Sequence, residues 1–251
     1  MIRRILNQVA SQHVDPKEKP PVPWDDGYAE RWLTDGFISW VRFAVPGMLG
    51  DGNLVASAWA MERLPSEGDI VEIGSFCGLS TIMLSALRSR FGERERRIIT
   101  SDKWQFEGQA LGSTLGDSEV THETYQNFVR DSYIRNVQTF CNPLPITVSS
   151  LSDEFFHYWE SGADEKDVVS GHSVVLGGPI GFAYIDGNHT YDYAKRDYEN
   201  VDRYLVSGGW IMFDDSADGS GWEVNRLVRE LAENSNYELV AKAPNYLFRK
   251  R

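Results

Sequence analysis

The chain has 251 residues, 41% of them hydrophobic, enough for one sizeable α/β core with a small accessory segment. A formal charge of −12 and a pI near 4.9 argue against nucleic acid or an anionic membrane as the main partner, because neither rewards a net acidic surface. Cys77 and Cys141 lack CxxC spacing and read as reduced, buried thiols; no run spans a membrane and no signal-peptide core follows Arg3 and Arg4, so a cytoplasmic location is expected.

Residues 1–50 read as an N-terminal arm. Pro16, Pro20, Pro21 and Pro23 make an extended, semi-rigid segment, and Trp24, Tyr28, Trp32, Phe37, Trp40 and Phe43 follow it. Such an aromatic load packs against the body or a second subunit in a homo-oligomer, or closes over a site as a lid. The two readings do not exclude each other.

From residue 51 onward the pattern becomes regular. A helix over 53–64 stops in the turn Pro65 to Gly68. Strands over 69–73, 98–100, 144–148, 182–185 and 210–213 then alternate with helices over 80–91, 122–137, 153–161, 193–206 and 223–234. Strands over 238–241 and 246–248 close the chain, separated by a turn that allows a hairpin. Repeated β-then-α order predicts a doubly wound, mostly parallel, seven-stranded Rossmann-like sheet with an antiparallel edge hairpin. Two Gly-rich polar insertions, 104–121 and 162–179, are expected to be loops.

Three acids stand directly after apolar runs. Asp186 follows the run ending at Ile185, and Asp214 and Asp215 follow the run ending at Phe213. Ligands in open α/β sheets sit beyond the carboxyl ends of such strands, and three carboxylates gathered there repel one another unless something positive lies between them. A hard divalent cation such as Mg²⁺ suits oxygen ligands; the plainer alternative is that one or two of the acids cap helices or bind backbone N–H groups. The first strand runs into a glycine loop containing Gly74, Ser75, Phe76 and Gly78, where backbone can approach a ligand closely. Its spacing is not the GxGxxG of dinucleotide enzymes, which disfavours an NAD-dependent oxidoreductase. The next strand ends in Asp102, placed to accept both hydroxyls of a ribose. Glu72 reads either as a loop or ligand holder or as a buried acceptor.

The stretch from Glu72 to Ser80 resembles the first motif of class I S-adenosylmethionine-dependent methyltransferases, most closely the metal-dependent O-methyltransferases of the catechol type. Tyr184 to Tyr191, Asp197 and Ser207 to Asp215 resemble the bacterial branch that methylates sugars and natural products, as does the segment Val45 to Leu49. The resemblance implies that 51–251 is a methyltransferase domain and that Glu72, Gly74, Ser75, Phe76, Gly78, Ser80 and Asp102 bind S-adenosylmethionine. Ser150, Ser152 and Asp153 would lie at its adenine. Asp186, Asp214 and Asp215 would ligate Mg²⁺, and His189 would be the catalytic base beside Asp186. Two positions depart: the catechol enzymes have Lys where His189 stands, and Asp-Asn or His-Asp replaces Asp214-Asp215 in the branches compared.

A cation at the aspartates would chelate two neighbouring oxygens of a small polyhydroxylated substrate, a sugar or a phenol, and His189 would take the proton. Trp24, Trp32, Trp104, Phe106, Tyr191 and Trp222 read equally as pocket lining or as packing, and His122, His157 and His172 have no comparable context. The alternatives are a metal-independent transferase acting on nitrogen or a lone hydroxyl, and a nonenzymatic S-adenosylmethionine-binding subunit.

Overall fold

A computed structural model describes residues 22–105 and 114–251; most of the proline-rich stretch and Phe106 lie outside them. The described chain begins with two short helices, α1 (Asp26–Leu33) and α2 (Gly36–Ala44). Each is capped by an aspartate: Asp25 Oδ1 accepts from Tyr28 N at 2.7 Å, and Asp35 Oδ1 from Ile38 N at 2.9 Å. Helix α3 (Asp51–Met61) is rich in Ala and small residues, and burial of most of its length makes it an inner helix, not a surface one.

The alternation follows as β1 (Asp69–Ile73), α4 (Leu79–Arg90), β2 (Ile98–Ser101), α5 (His122–Phe140), β3 (Ile146–Val148) and α6 (Ser152–Ser161). A small hairpin, β4 (Asp164–Lys166) and β5 (Ser173–Val175), precedes β6 (Ile180–Ile185), α7 (Tyr191–Asp202), β7 (Leu205–Phe213), α8 (Val224–Ala232), β8 (Tyr237–Lys242) and β9 (Tyr246–Lys250). The main sheet has the order β3-β2-β1-β6-β7-β9-β8, parallel from β3 to β7, with β9 antiparallel to both neighbours. The expected seven-stranded sheet and edge hairpin are therefore present.

Alternation along the strands divides the core. Ile70, Phe182, Tyr184, Trp210 and Met212 face α3 and α4. Val71, Ile73, Ala183, Ile185, Ile211 and Phe213 face α6, α7 and α8. Chain order reverses between β1 and β6, so the gap beyond their carboxyl ends is the topological switch point where such sheets bind ligands.

Two expectations needed correction. The helix expected over 193–206 stops at Asp202, and Leu205 already belongs to β7, whose early residues pair with β6. The insertion 162–179 contains the β4–β5 hairpin, held to the sheet through Val148 and Asp167. In the insertion 104–121, the described part includes a bridge between Thr114 and Thr121. The aromatic arm divides in two. Trp32 is buried against Phe91 at 5.3 Å, and Trp24 and Tyr28 pack on Trp59, whereas Trp40 and Phe43 stay 59% and 83% exposed. Cys77 and Cys141 are buried free thiols, as expected.

Candidate active site at the carboxyl edge

Between β1 and α4 the chain makes a turn that L-residues resist. Gly74 has φ +83°, Gly78 φ +92°, and between them the non-glycine Phe76 has φ +46°. Gly74 is required twice over: a Cβ there would sit 2.0 Å from the carbonyl oxygen of Asp186, so the ends of β1 and β6 touch only because it has none. Asp102, at the end of β2, holds this turn. Its Oδ2 accepts from Ser75 N (2.7 Å), Ser75 Oγ (3.2 Å) and Phe76 N (3.0 Å), and its Oδ1 accepts from Trp104 N (2.6 Å). Trp104, buried at 2% exposure, ties back through Nε1 to the carbonyl of Phe76 at 3.0 Å. The acid expected to meet a ribose thus also fastens the loop, and Trp104 belongs to that fastening.

Glu72 lies beneath the loop, fully buried. Thr81 Oγ1 and Thr100 Oγ1 donate to its Oε2 at 2.5 and 3.2 Å, while Oε1 has no hydrogen-bond partner. Burial pushes its carboxyl up to about 7, with Ser80, Thr81 and Thr100 pulling the other way. Ser150 is buried, its Oγ 3.1 Å from that of Ser101. Burial pushes the Asp197 carboxyl up to about 7, with the nearby Ser152 pulling the other way. Asp153 lies on α6 and pairs with Arg196 (3.2 Å) and Asn200 (3.2 Å) of α7.

At the ends of β6 and β7 the acids behave differently. Asp186 N still donates to Ile73 O (2.8 Å), and Asp214 N to Ile185 O (2.9 Å), so the ladder carries both acids out of the sheet in register. The turn after β6 brings His189 back over them: its Nε2 lies 2.9 Å from Asp215 Oδ2 and 3.6 Å from Asp186 Oδ1. Trp222 lies against the imidazole, ring centroids 4.6 Å apart, and Glu223 N donates to His189 O at 3.1 Å. Trp222 also lines a groove of about 430 Å³ together with Arg226, Arg229 and Glu230. Asp215 itself has φ +50°, as unusual as Phe76 and as Trp104 at +52°. All three strained non-glycine residues stand just past β1, β2 and β7, where strain concentrates at functional sites.

Asp186, His189 and Asp215 each offer a ligand atom within 4.8 Å of the others. Asp214 is turned away from that trio and bound by the protein. Its Oδ1 accepts from Asn53 Nδ2 (2.7 Å), Asn245 Nδ2 (2.7 Å) and Asp215 N (2.8 Å), and its Oδ2 accepts from Tyr184 Oη (2.9 Å). Burial, then the negative charge of Asp214, pushes the Asp186 carboxyl well above the usual carboxylate range, and the nearby His189 opposes this. Burial and then Asp215 raise Asp214. The donor set, two carboxylates and an imidazole gathered under mutual repulsion, fits a divalent cation.

The three aspartates, the glycine loop and His189, all singled out in the sequence, lie together at the carboxyl edge of the sheet. Sequence reasoning missed Asn53 and Asn245, which are ordinary residues of a helix start and a hairpin turn until the fold brings them to Asp214.

Residues 71–216 match the family model for a methyltransferase domain. Among solved structures, an O-methyltransferase from Bacillus cereus in complex with SAH is 15% identical, with 100% of each chain covered and a TM-score of 0.54. CalS11, a TDP-rhamnose 3'-O-methyltransferase of calicheamicin biosynthesis, is 16% identical, covering 96% of this chain and 97% of its own, with a TM-score of 0.55. A putative caffeoyl-CoA O-methyltransferase from Staphylococcus aureus is 12% identical, covering 88% and 95%, with a TM-score of 0.55. At these identities the likeness speaks for the fold, and the family model, matching more than half of the chain, speaks for membership. The chain belongs to the methyltransferase-domain family and is a class I S-adenosylmethionine-dependent methyltransferase.

Proposed function

We propose that this chain is an O-methyltransferase that moves the methyl group of S-adenosylmethionine to a hydroxyl of a small polyhydroxylated molecule, a sugar or a phenolic natural product, with a divalent cation at the acidic site. The observation that carries this reading is the meeting of Asp186, His189 and Asp215 across the switch point from the glycine loop. The O-methyltransferase names of the structural neighbours point the same way, and CalS11 in particular acts on a sugar.

Methyl transfer from a sulfonium is an in-line displacement, so the protein must align an oxygen and strip its proton. The loop from Gly74 to Gly78 would offer its backbone to the methyl donor, and Asp102, hydrogen-bonded to that loop, would stand at the donor's ribose. Asp186 and Asp215, with Asp214 beside them, would hold the cation, which would supply Lewis-acid polarisation of neighbouring substrate oxygens. His189, its Nε2 2.9 Å from Asp215 Oδ2 and its ring against Trp222, stands beside the acids as the residue that would take the released proton. The remaining acceleration comes from alignment.

The same 2.9 Å His189–Asp215 pair favours a second reading, a general-base transferase that needs no metal. The test is methyl transfer to a panel of vicinal diols and catechols, with and without EDTA. Activity abolished by EDTA and restored by Mg²⁺ or Mn²⁺ is expected; full activity in EDTA selects the metal-free base. No transfer to any hydroxyl acceptor, with transfer to amines instead, would overturn the O-methyltransferase assignment.

A further inference from the structure

We propose that Asn53, Tyr184 and Asn245 are positioning residues of the acidic site: they hold Asp214 fixed behind Asp186 and Asp215, and through it set the direction of Asp215. The inference rests on the cation reading above and adds to it a division of labour between two adjacent aspartates.

A carboxylate has about four acceptor sites, and Asp214 has four donors from the chain. Nothing in that arrangement asks for a cation, whereas Asp186 and Asp215 have one imidazole to share. The three side-chain donors come from separate places: the start of α3, the end of β6 and the β8–β9 turn. They also bind one another, Asn53 Nδ2 donating to Tyr184 Oη at 2.9 Å and Asn245 Nδ2 to Asn53 Oδ1 at 3.0 Å. Among the described residues Asn245 Oδ1 has no partner in its buried site, a cost that rotating the amide would worsen by facing oxygen against two acceptors. The helix and the turn are locked together: a Cβ at Gly52 would fall 1.3 Å from the carbonyl oxygen of Ala243.

The link to the site is the Asp215 N–H, which donates to Asp214 Oδ1 at 2.8 Å while Asp215 adopts φ +50°. A β-substituted residue holds that backbone only when neighbours over-determine it. From behind, Ser216 Oγ accepts from Tyr246 N (2.9 Å), so the C-terminal hairpin grips the loop on both sides of Asp215. With Asp214 clamped, the Asp215 carboxylate is left pointing at His189 and Asp186.

Titration with Mn²⁺ in the absence of substrate, followed by electron paramagnetic resonance, tests this in Asn245→Ala and in the milder Tyr184→Phe. Cation affinity should fall by about tenfold or more, as loss of an outer hydrogen bond to a metal site does. Affinity for S-adenosylmethionine, measured by calorimetry on the same samples, should stay within about threefold. If both variants lose thermal stability but bind Mn²⁺ like the wild type, the three residues are merely structural and the proposal is wrong. If the wild type binds no Mn²⁺, the cation reading falls and this inference falls with it.

Discussion

Asp102 and Asp214 each accept four hydrogen bonds from the chain, whereas Asp186 and Asp215 meet across a single imidazole. All four stand just beyond the carboxyl ends of strands in one sheet, so strand geometry does not distinguish them. What differs is the supply of donors. At the glycine-loop end, a left-handed turn exposes successive backbone N–H groups to Asp102, and at β7 two amides and a phenol converge on Asp214. The other two acids have no such supply. Where donors run out, charge remains to be neutralised, which is the task given above to the proposed cation.

Substitutions should split along this line. Asp186→Ala is expected to cut methyl transfer by at least about a hundredfold while S-adenosylmethionine affinity holds, checked by product formation and calorimetry side by side. Gly74→Ala puts a methyl group against the Asp186 carbonyl in a left-handed backbone and should cost about 3 kcal/mol in urea unfolding. A wild-type midpoint there would mean the two strand ends are not locked. Asp102→Asn turns donors toward donors at the loop and should cost about 2 kcal/mol.

The pH dependence of stability offers a finer probe. Glu72 has its carboxyl raised to about 7 by burial, so between its ordinary value near 4.5 and pH 7 the folded chain keeps a proton that the unfolded chain has released. Its contribution is fully present below about pH 4.5 and is lost as pH rises through about 7. Gln at position 72 stays neutral, so Glu72→Gln should gain on the wild type by up to about 1.4 kcal/mol per pH unit across that window and level off above it. A parallel pair of stability–pH curves would remove the buried-acid account. The smallest effect is expected at Asp215→Asn: removing an unsatisfied charge should leave stability unchanged or raise it by up to about 1 kcal/mol, even as activity is lost. A loss like that of Asp102→Asn would place Asp215 with Asp102 among the acids that the chain satisfies.

Much of this was legible in the chain because it is written in short-range patterns. Apolar runs of strand length, punctuated by Gly and charge, placed β1, β2 and β6 within a residue or two of where they lie and fixed the carboxyl end of β7. Boundaries failed where local pattern and pairing compete: Leu205 and Val206 continue a helical periodicity, yet β6 draws them into β7. The β4–β5 hairpin escaped notice because strands of three residues carry too little alternation to read.

The sequence by itself determined the architecture, the loop and the positions of the acids, since strand period, turn chemistry and the order of β and α units act between near neighbours. Tertiary structure alone decided which acids are satisfied. Asn53, Tyr184 and Asn245 lie 161, 30 and 31 residues from Asp214, and only the packing of α3 and the closing hairpin against β7 brings their polar atoms within 3 Å of its oxygens. Hydrogen bonds act at contact range, and contact across such separations is a property of the fold.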